Sequence, residues 1–424
     1  MIMPQLRSTS RRRSRSDVRR IIGLFAFLIL WIFILVHTAV VLDLSNSSSL
    51  TTSSGYRLLQ HQIGVERPTI TSWSVDHNVD GNAYAIPGIE MHIPSPMHNE
   101  DPIHFVYPAT STTFALAARA TLEDGRTTTT TTPTKKGLVL LLHACTHSAL
   151  KFFSPSPSTC PNCVGLSEEL RIVRLLLEHG YDVVAITSAN RSSGCWSIEH
   201  DLHRITAVLQ HDLLRSYTIN DTIYAIGASS GGKMASELAV RDVVRGAVVM
   251  VASMSENVVK RLRTSPKPIY LAPMPRDKRT MASVTKNYHD LENVKDFIRL
   301  DGSSCDALPF TTEYLVRRVV GMTPDVSNRL LSELKTAGHI DSTSNMLILD
   351  PTKSNWRDVV SPENSTNWLN AFDLRPGYSP LAKALHRAWA FHEYCSEVVN
   401  PALRFWEYHA LAGKSKHAEL FSNT

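Results

Sequence analysis

Residues 222–233 read Thr-Ile-Tyr-Ala-Ile-Gly-Ala-Ser-Ser-Gly-Gly-Lys, and this stretch decides the fold. Thr222–Ile226 is short, apolar and rich in β-formers, which predicts a buried strand. Gly232–Val240 has helical spacing. Between them, Gly227-Ala228-Ser229-Ser230-Gly231-Gly232 fits G-x-S-x-G in the setting that motif requires, a strand, a sharp turn and a helix. Holding a serine hydroxyl at the tip of so tight a turn forces unusual backbone angles. Side chains two residues to either side would collide with the neighbouring strand and helix, hence Gly227 and Gly231. The N-terminus of the following helix points free N–H groups at developing negative charge. Ser229 is therefore the candidate nucleophile, with Ser230 as its rival. A phosphate-cradling turn is the alternative reading, but the glycines do not follow G-x-G-x-x-G.

The pattern continues on both sides. Gly137–Leu142 (GLVLLL), Tyr181–Thr187 (YDVVAIT), Ala247–Ala252 (AVVMVA) and Pro268–Ala272 (PIYLA) read as strands. Leu166–His179, stopped by Gly180, and Ile198–Leu214 read as helices. Such alternation predicts an α/β fold: a mostly parallel sheet with helices on both faces. After Arg299 it weakens. Two short helices are expected within Val316–Gly338, a loop over Asn355–Pro380, and a strongly helical stretch over Leu381–Ala410, with His392 ahead of the amphipathic helix near its end. The part around 300–380 reads as an irregular insertion or small lid.

A serine hydroxyl needs a base, and the imidazole needs a carboxylate to orient it. Asp277 follows the strand PIYLA, two strands after the nucleophile; Asp301 and Asp306 are alternatives. The base must come later in the chain. His392, in Trp389-Ala-Phe-His392-Glu-Tyr, is favoured, with His386 second. The loop His143-Ala-Cys-Thr-His-Ser148 follows GLVLLL directly, where a second oxyanion donor belongs. Backbone N–H groups of Ala144 or Cys145, together with that of Ser230, are the candidates. His143 itself reads as a buried structural histidine. Trp196, in the loop after YDVVAIT, is a candidate pocket wall, with packing the competing role.

The chain has six cysteines, and an even number in an oxidising compartment suggests disulfides. Cys160-Pro-Asn-Cys163 is expected to form a structural disulfide. Zinc is the weaker reading because no second C-x-x-C or H-x-x-x-H completes a tetrahedral site. No metal and no other cofactor is called for by the chemistry above.

Apolar content of 43% and charged content of 20% are those of a globular chain. The net charge of +5 comes largely from arginines ahead of residue 21, so no nucleic-acid surface is read into it. Ile21–Leu42 carries no charge and is long enough to span a bilayer, which takes about 20 apolar residues. The expected organisation is a basic cytosolic tail (1–20), a transmembrane signal-anchor (21–42), a Ser/Thr-rich stem (43–65) and a catalytic domain (66–415). The positive-inside tendency makes this a single-pass type II membrane protein with its domain in the secretory lumen or outside. A cleaved signal peptide is the alternative. Sequons at Asn46, Asn190, Asn220 and Asn364 lie on that side as candidate glycosylation sites.

The blocks LLHACTHSA, CPNCVGLSEE, GYDVVAITSA with GCWS, IGASSGGKMA, PMPRD and AWAFHEY resemble the α/β-hydrolase superfamily, and more narrowly a poorly characterised plant and algal hydrolase-like subgroup. The resemblance covers about residues 137–410. It implies the α/β-hydrolase fold and a triad of Ser229, Asp277 and His392. A serine hydrolase of the carboxylesterase or lipase type follows, acting on a small-molecule or lipid ester. The same fold also carries acyltransferases and non-catalytic binding or receptor proteins, which stand as alternatives. The His-Ala pair at 143–144, where His-Gly usually opens the oxyanion loop, is the main departure.

Overall fold

The structure, a computed structural model, describes residues 85–97, 100–109, 135–212, 214, 217, 223–360, 369 and 371–422, with side chains to residue 412. Among the described residues eight strands form one sheet: β1 (Gly88–Ile93), β2 (Ile103–Pro108), β3 (Gly137–Leu142), β4 (Tyr181–Ile186), β5 (Ile223–Ala228), β6 (Gly246–Met250), β7 (Ile269–Ala272) and β8 (Ile298–Leu300). Their order is β1-β2-β4-β3-β5-β6-β7-β8. β2 runs antiparallel to both β1 and β4, and every other pairing is parallel. The helices expected over Leu166–His179, Ile198–Leu214 and Gly232–Val240 form over Ser167–Glu178, Ile198–Gln210 and Ser230–Val240.

Alternation along the strands divides two cores. Leu138, Leu140 and Leu142 face the helices Ile198–Gln210, Ser230–Val240 and Glu256–Thr264. Val139 and Leu141 face the helix Ser167–Glu178 and the start of the C-terminal helix, with Trp406 stacked on Tyr224. Because both faces are covered, the strands read as unbroken apolar runs. β1 and β2 are not among the strands the sequence singles out; β1 mixes Glu90 and His92 with apolar residues and is only partly buried, whereas β2 is buried along nearly its whole length but carries a histidine in its short apolar run.

The segment between β8 and residue 389 builds its own core. The helices Thr312–Val316, Pro324–Thr336, Trp356–Val359 and Pro380–Trp389 pack Phe310, Leu330, Leu334, Trp356, Leu381 and Leu385 together. An ion network fastens this segment to the helix Ser167–Glu178 and to the turn Ser396–Val398. Arg318 pairs with Glu168 and Glu397, and Arg387 donates to Glu397 at 2.9 Å and to the Ser304 carbonyl at 3.0 Å.

The helical stretch expected over Leu381–Ala410 is broken in the middle. The helix Pro380–Trp389 ends at Ala390, in the left-handed region at φ 58°, and helix resumes only at Ser396. Helical composition lost here to tertiary anchoring, described below. Among the described residues no helix is long and apolar enough to cross a membrane. The basic tail, the expected span 21–42, the stem, and Asn46, Asn220 and Asn364 all lie outside the described residues.

Candidate active site

The parallel strands deliver their carboxyl ends to one edge of the sheet, where ligand sites form in open α/β folds. β5 ends at Ala228, and Ser229 follows with φ 54° and ψ −119°, a conformation that L-residues avoid. The neighbouring glycines permit it. A Cβ on Gly227 would lie 2.3 Å from the Gly231 carbonyl carbon, and one on Gly231 would lie 2.0 Å from the Leu142 carbonyl oxygen. No side chain fits at either position. The Ser229 N–H donates to the Met250 carbonyl at 3.0 Å, which fixes the turn to β6. Gly227-x4-Gly232-Lys233 also shares the first part of a P-loop pattern. Met234 stands where that pattern needs Ser or Thr, and Lys233 faces solvent.

β7 ends at Ala272, and Asp277 follows as the N-cap of the helix Lys278–Asp290. Its Oδ1 accepts the Thr280 N–H at 3.1 Å, and its Oδ2 lies 2.6 Å from Nδ1 of His392. The other ring nitrogen, Nε2, lies 3.0 Å from Ser229 Oγ. Side chains from residues 229, 277 and 392 thus meet in one chain of contacts. Burial alone would raise the Asp277 pKa, but the hydrogen bonds from Thr280 and His392 outweigh it and hold the carboxyl below its usual value. The alternatives lie elsewhere. Asp301 accepts from Tyr270 and from the N–H groups of Ser303 and Ser304, and His386 sits beside Glu393.

Three consecutive residues anchor the His392 loop. Glu393 is buried and accepts from Lys383 Nζ at 2.7 Å. Burial opposes the charge on Glu393, yet the Lys383 ammonium wins and holds its carboxyl well below the ordinary carboxylate range. The Tyr394 hydroxyl donates to the Leu142 carbonyl at 2.9 Å, at the end of β3. Cys395 is bonded to Cys305, just past β8.

The loop after β3 is held as firmly. His143 is fully buried; its Nδ1–H donates to the Ala144 carbonyl at 2.8 Å, and its Nε2 accepts the Ser188 N–H at 3.0 Å. Burial pushes its pKa down to about 3, so the ring is neutral and both nitrogens are committed. Trp196 is placed behind this loop, with its indole N–H on the His143 carbonyl at 2.7 Å and its ring against the imidazole. Those contacts give it the packing role, bracing the loop. Cys145 is bonded to Cys195, and its sulfur lies 3.2 Å from Ser230 Oγ, so the loop sits against the residue after Ser229. Cys160 and Cys163 form a disulfide with each other, and none of the six cysteines is free. Sequence reasoning singled out only the Cys160–Cys163 bridge; partners from distant loops leave no spacing signal. Asn190 is exposed in the loop after β4.

No family model matches the chain, and no curated protein matches it. Solved structures do. A thermostable esterase is 14% identical over 50% of this chain and 54% of its own, with a TM-score of 0.32. An esterase of Pyrococcus furiosus is 13% identical over 59% of this chain and 90% of its own, at 0.33. A predicted hydrolase of Thermoplasma acidophilum is 14% identical over 59% of this chain and 99% of its own, at 0.33. The matched stretch spans about half the length of the first of these. The neighbours are of the α/β-hydrolase fold. The sheet of this chain is itself mostly parallel and flanked by helices. Identities and TM-scores this low carry nothing further, and the functional reading rests on the geometry of the site.

Proposed function

We propose that this protein is a serine hydrolase acting on esters, with Ser229 as nucleophile, His392 as base and Asp277 as the residue that orients the base. The contact chain Ser229 Oγ–His392 Nε2 at 3.0 Å and His392 Nδ1–Asp277 Oδ2 at 2.6 Å carries the reading. An ionised Asp277 has no proton to give, so Nδ1 carries the hydrogen and donates to Oδ2. Nε2 is then a lone pair facing the serine hydroxyl. Ser229 Oγ attacks the ester carbonyl as Nε2 takes its proton, and the imidazolium so formed is stabilised by Asp277. The proton passes to the leaving alcohol. Water then repeats the sequence on the acyl-enzyme.

The oxyanion needs donors. Ser230 opens the helix Ser230–Val240, so its N–H lies ahead of the helical ladder. In the other loop, the Ala144 carbonyl accepts from His143 Nδ1 and from the His147 N–H. The N–H of Cys145 belongs to the same peptide plane and points the opposite way. That favours Cys145 over Ala144 as the second donor. The glycine missing at 144 is then no obstacle, because the donor belongs to the next residue.

The carboxylesterase or lipase type, with a small-molecule or lipid ester as substrate, is the finer form of this proposal. The plant and algal subgroup rests on the sequence blocks alone. We also place the domain in the secretory lumen or outside the cell, anchored by residues 21–42; pairing of all six cysteines supports an oxidising compartment. The test is labelling by a fluorophosphonate probe. The wild-type chain is expected to label and Ser229→Ala is not. A wild-type chain that resists the probe and turns over no p-nitrophenyl ester overturns the proposal in favour of a binding protein on this fold. Product analysis with alcohol acceptors separates hydrolysis from acyl transfer.

A further inference from the structure

The β1–β2 hairpin, at the far edge of the sheet from the Asp277 strand, gathers donors that the triad does not use. Along β1 (GIEMHI), Glu90 and His92 are two residues apart and so share a face. The antiparallel register sets His92 directly opposite His104 of β2, on that same face. The contacts converge. Glu90 Oε1 lies 3.0 Å from His104 Nε2 and 3.3 Å from His92 Nε2, and donor atoms of the three residues all fall within 4.8 Å of one another. Ligand atoms held about 2.0–2.1 Å from one tetrahedral zinc ion lie roughly 3.3 Å apart.

Two details single this cluster out from an ordinary polar contact. His104 is 5% exposed, and its Nε2 makes no hydrogen bond, although Glu90 Oε1 is 3.0 Å away. The carboxylate oxygen lies off the direction in which an Nε2–H would point, so the short distance is not a donor–acceptor pair. Meanwhile Nδ1 of His104 lies 2.7 Å from Thr187 Oγ1, which also accepts the Ala149 N–H at 3.0 Å. A histidine ligand commonly spends its second nitrogen in this way, donating to a fixed oxygen so that the first presents a lone pair.

We propose that Glu90, His92 and His104 form a binding site for a divalent cation of the zinc class. Two imidazoles and one carboxylate match that ion's preferred donors. The three residues line a cavity of about 410 Å³ that leaves room for a fourth ligand from solvent. Arg191 lines the same cavity, and its guanidinium donates to the Pro102 carbonyl at 3.2 Å. A bound ion would clasp the edge strand β1 to β2.

The test uses the full-length chain in detergent, purified without a polyhistidine tag, stripped with chelator and dialysed against micromolar ZnCl₂. One equivalent of zinc is expected to remain by metal analysis, with a raised thermal midpoint. Glu90→Gln and His92→Ala, both at solvent-accessible positions, are each expected to weaken binding roughly 100-fold while melting like the wild type in chelator. Ser229→Ala is expected to keep the zinc, which separates this proposal from the catalytic one. A wild-type chain that takes up zinc only at millimolar concentration, or variants that hold it as tightly as wild type, overturns the site.

Discussion

The two oxygens of Asp277 are divided between fold and chemistry, since one caps a helix and the other holds His392. Asp277→Asn separates these roles. The amide oxygen can keep the Thr280 N–H, but an amide NH₂ facing Nδ1 forces the opposite tautomer and leaves Nε2 protonated towards Ser229. We expect kcat on a p-nitrophenyl ester to fall by about 10⁴ with the circular dichroism melt nearly unchanged. Activity within tenfold of wild type would remove Asp277 from the mechanism. This much was readable from the chain, because the elbow needs its glycines and the order Ser, Asp, His narrows the search. Glu90, His92 and His104 were not readable. Their association depends on a hairpin register, and no motif records which residue of β2 falls opposite His92.

At the scale of elements, the inner strands announced themselves because burial on both faces demands continuous apolar runs. The break in the last helix did not. Trp389-Ala-Phe-His392-Glu-Tyr has helical composition and lacks the Gly or Pro that usually marks a stop, yet Ala390 and His392 both adopt positive φ. The Lys383–Glu393 pair, the Tyr394 hydroxyl and the Cys305–Cys395 bond impose that turn from outside. Removing one anchor tests this account. In Lys383→Met the buried Glu393 carboxylate loses its counter-ion, which typically costs about 3–5 kcal/mol. Urea unfolding should show that loss, with kcat reduced more than KM is raised as His392 drifts from Ser229. A stability change below about 1 kcal/mol would show that the pair does not hold the loop.

For the whole molecule, buried titratable groups set an acid limit. His143 is held neutral by burial, with its pKa at about 3 against 6.5 for the free group. Below pH 6.5 the unfolded chain takes up a proton that the folded one refuses, so stability is lost as pH falls from 6.5 towards 3, by about 1.4 kcal/mol per unit from this residue. Glu397 adds a lower window. Burial would raise its pKa, but Arg318 and Arg387 outweigh that and hold it at about 2 against 4.5, so its contribution is present above pH 4.5 and fades towards 2. Urea midpoints taken from pH 7.5 to 5 should decline, and should decline less in His143→Gln; a flat profile would contradict the buried neutral ring. The placement of the His392 imidazole has a consequence for biogenesis. Ser229 is synthesised 163 residues ahead of its proposed base, and the loop carrying that base is secured by a cross-link that joins positions 305 and 395. On the reading proposed above, a nascent polypeptide that has not yet reached His392 carries an inert hydroxyl, and competence waits for that residue and for oxidation of the Cys305 and Cys395 thiols.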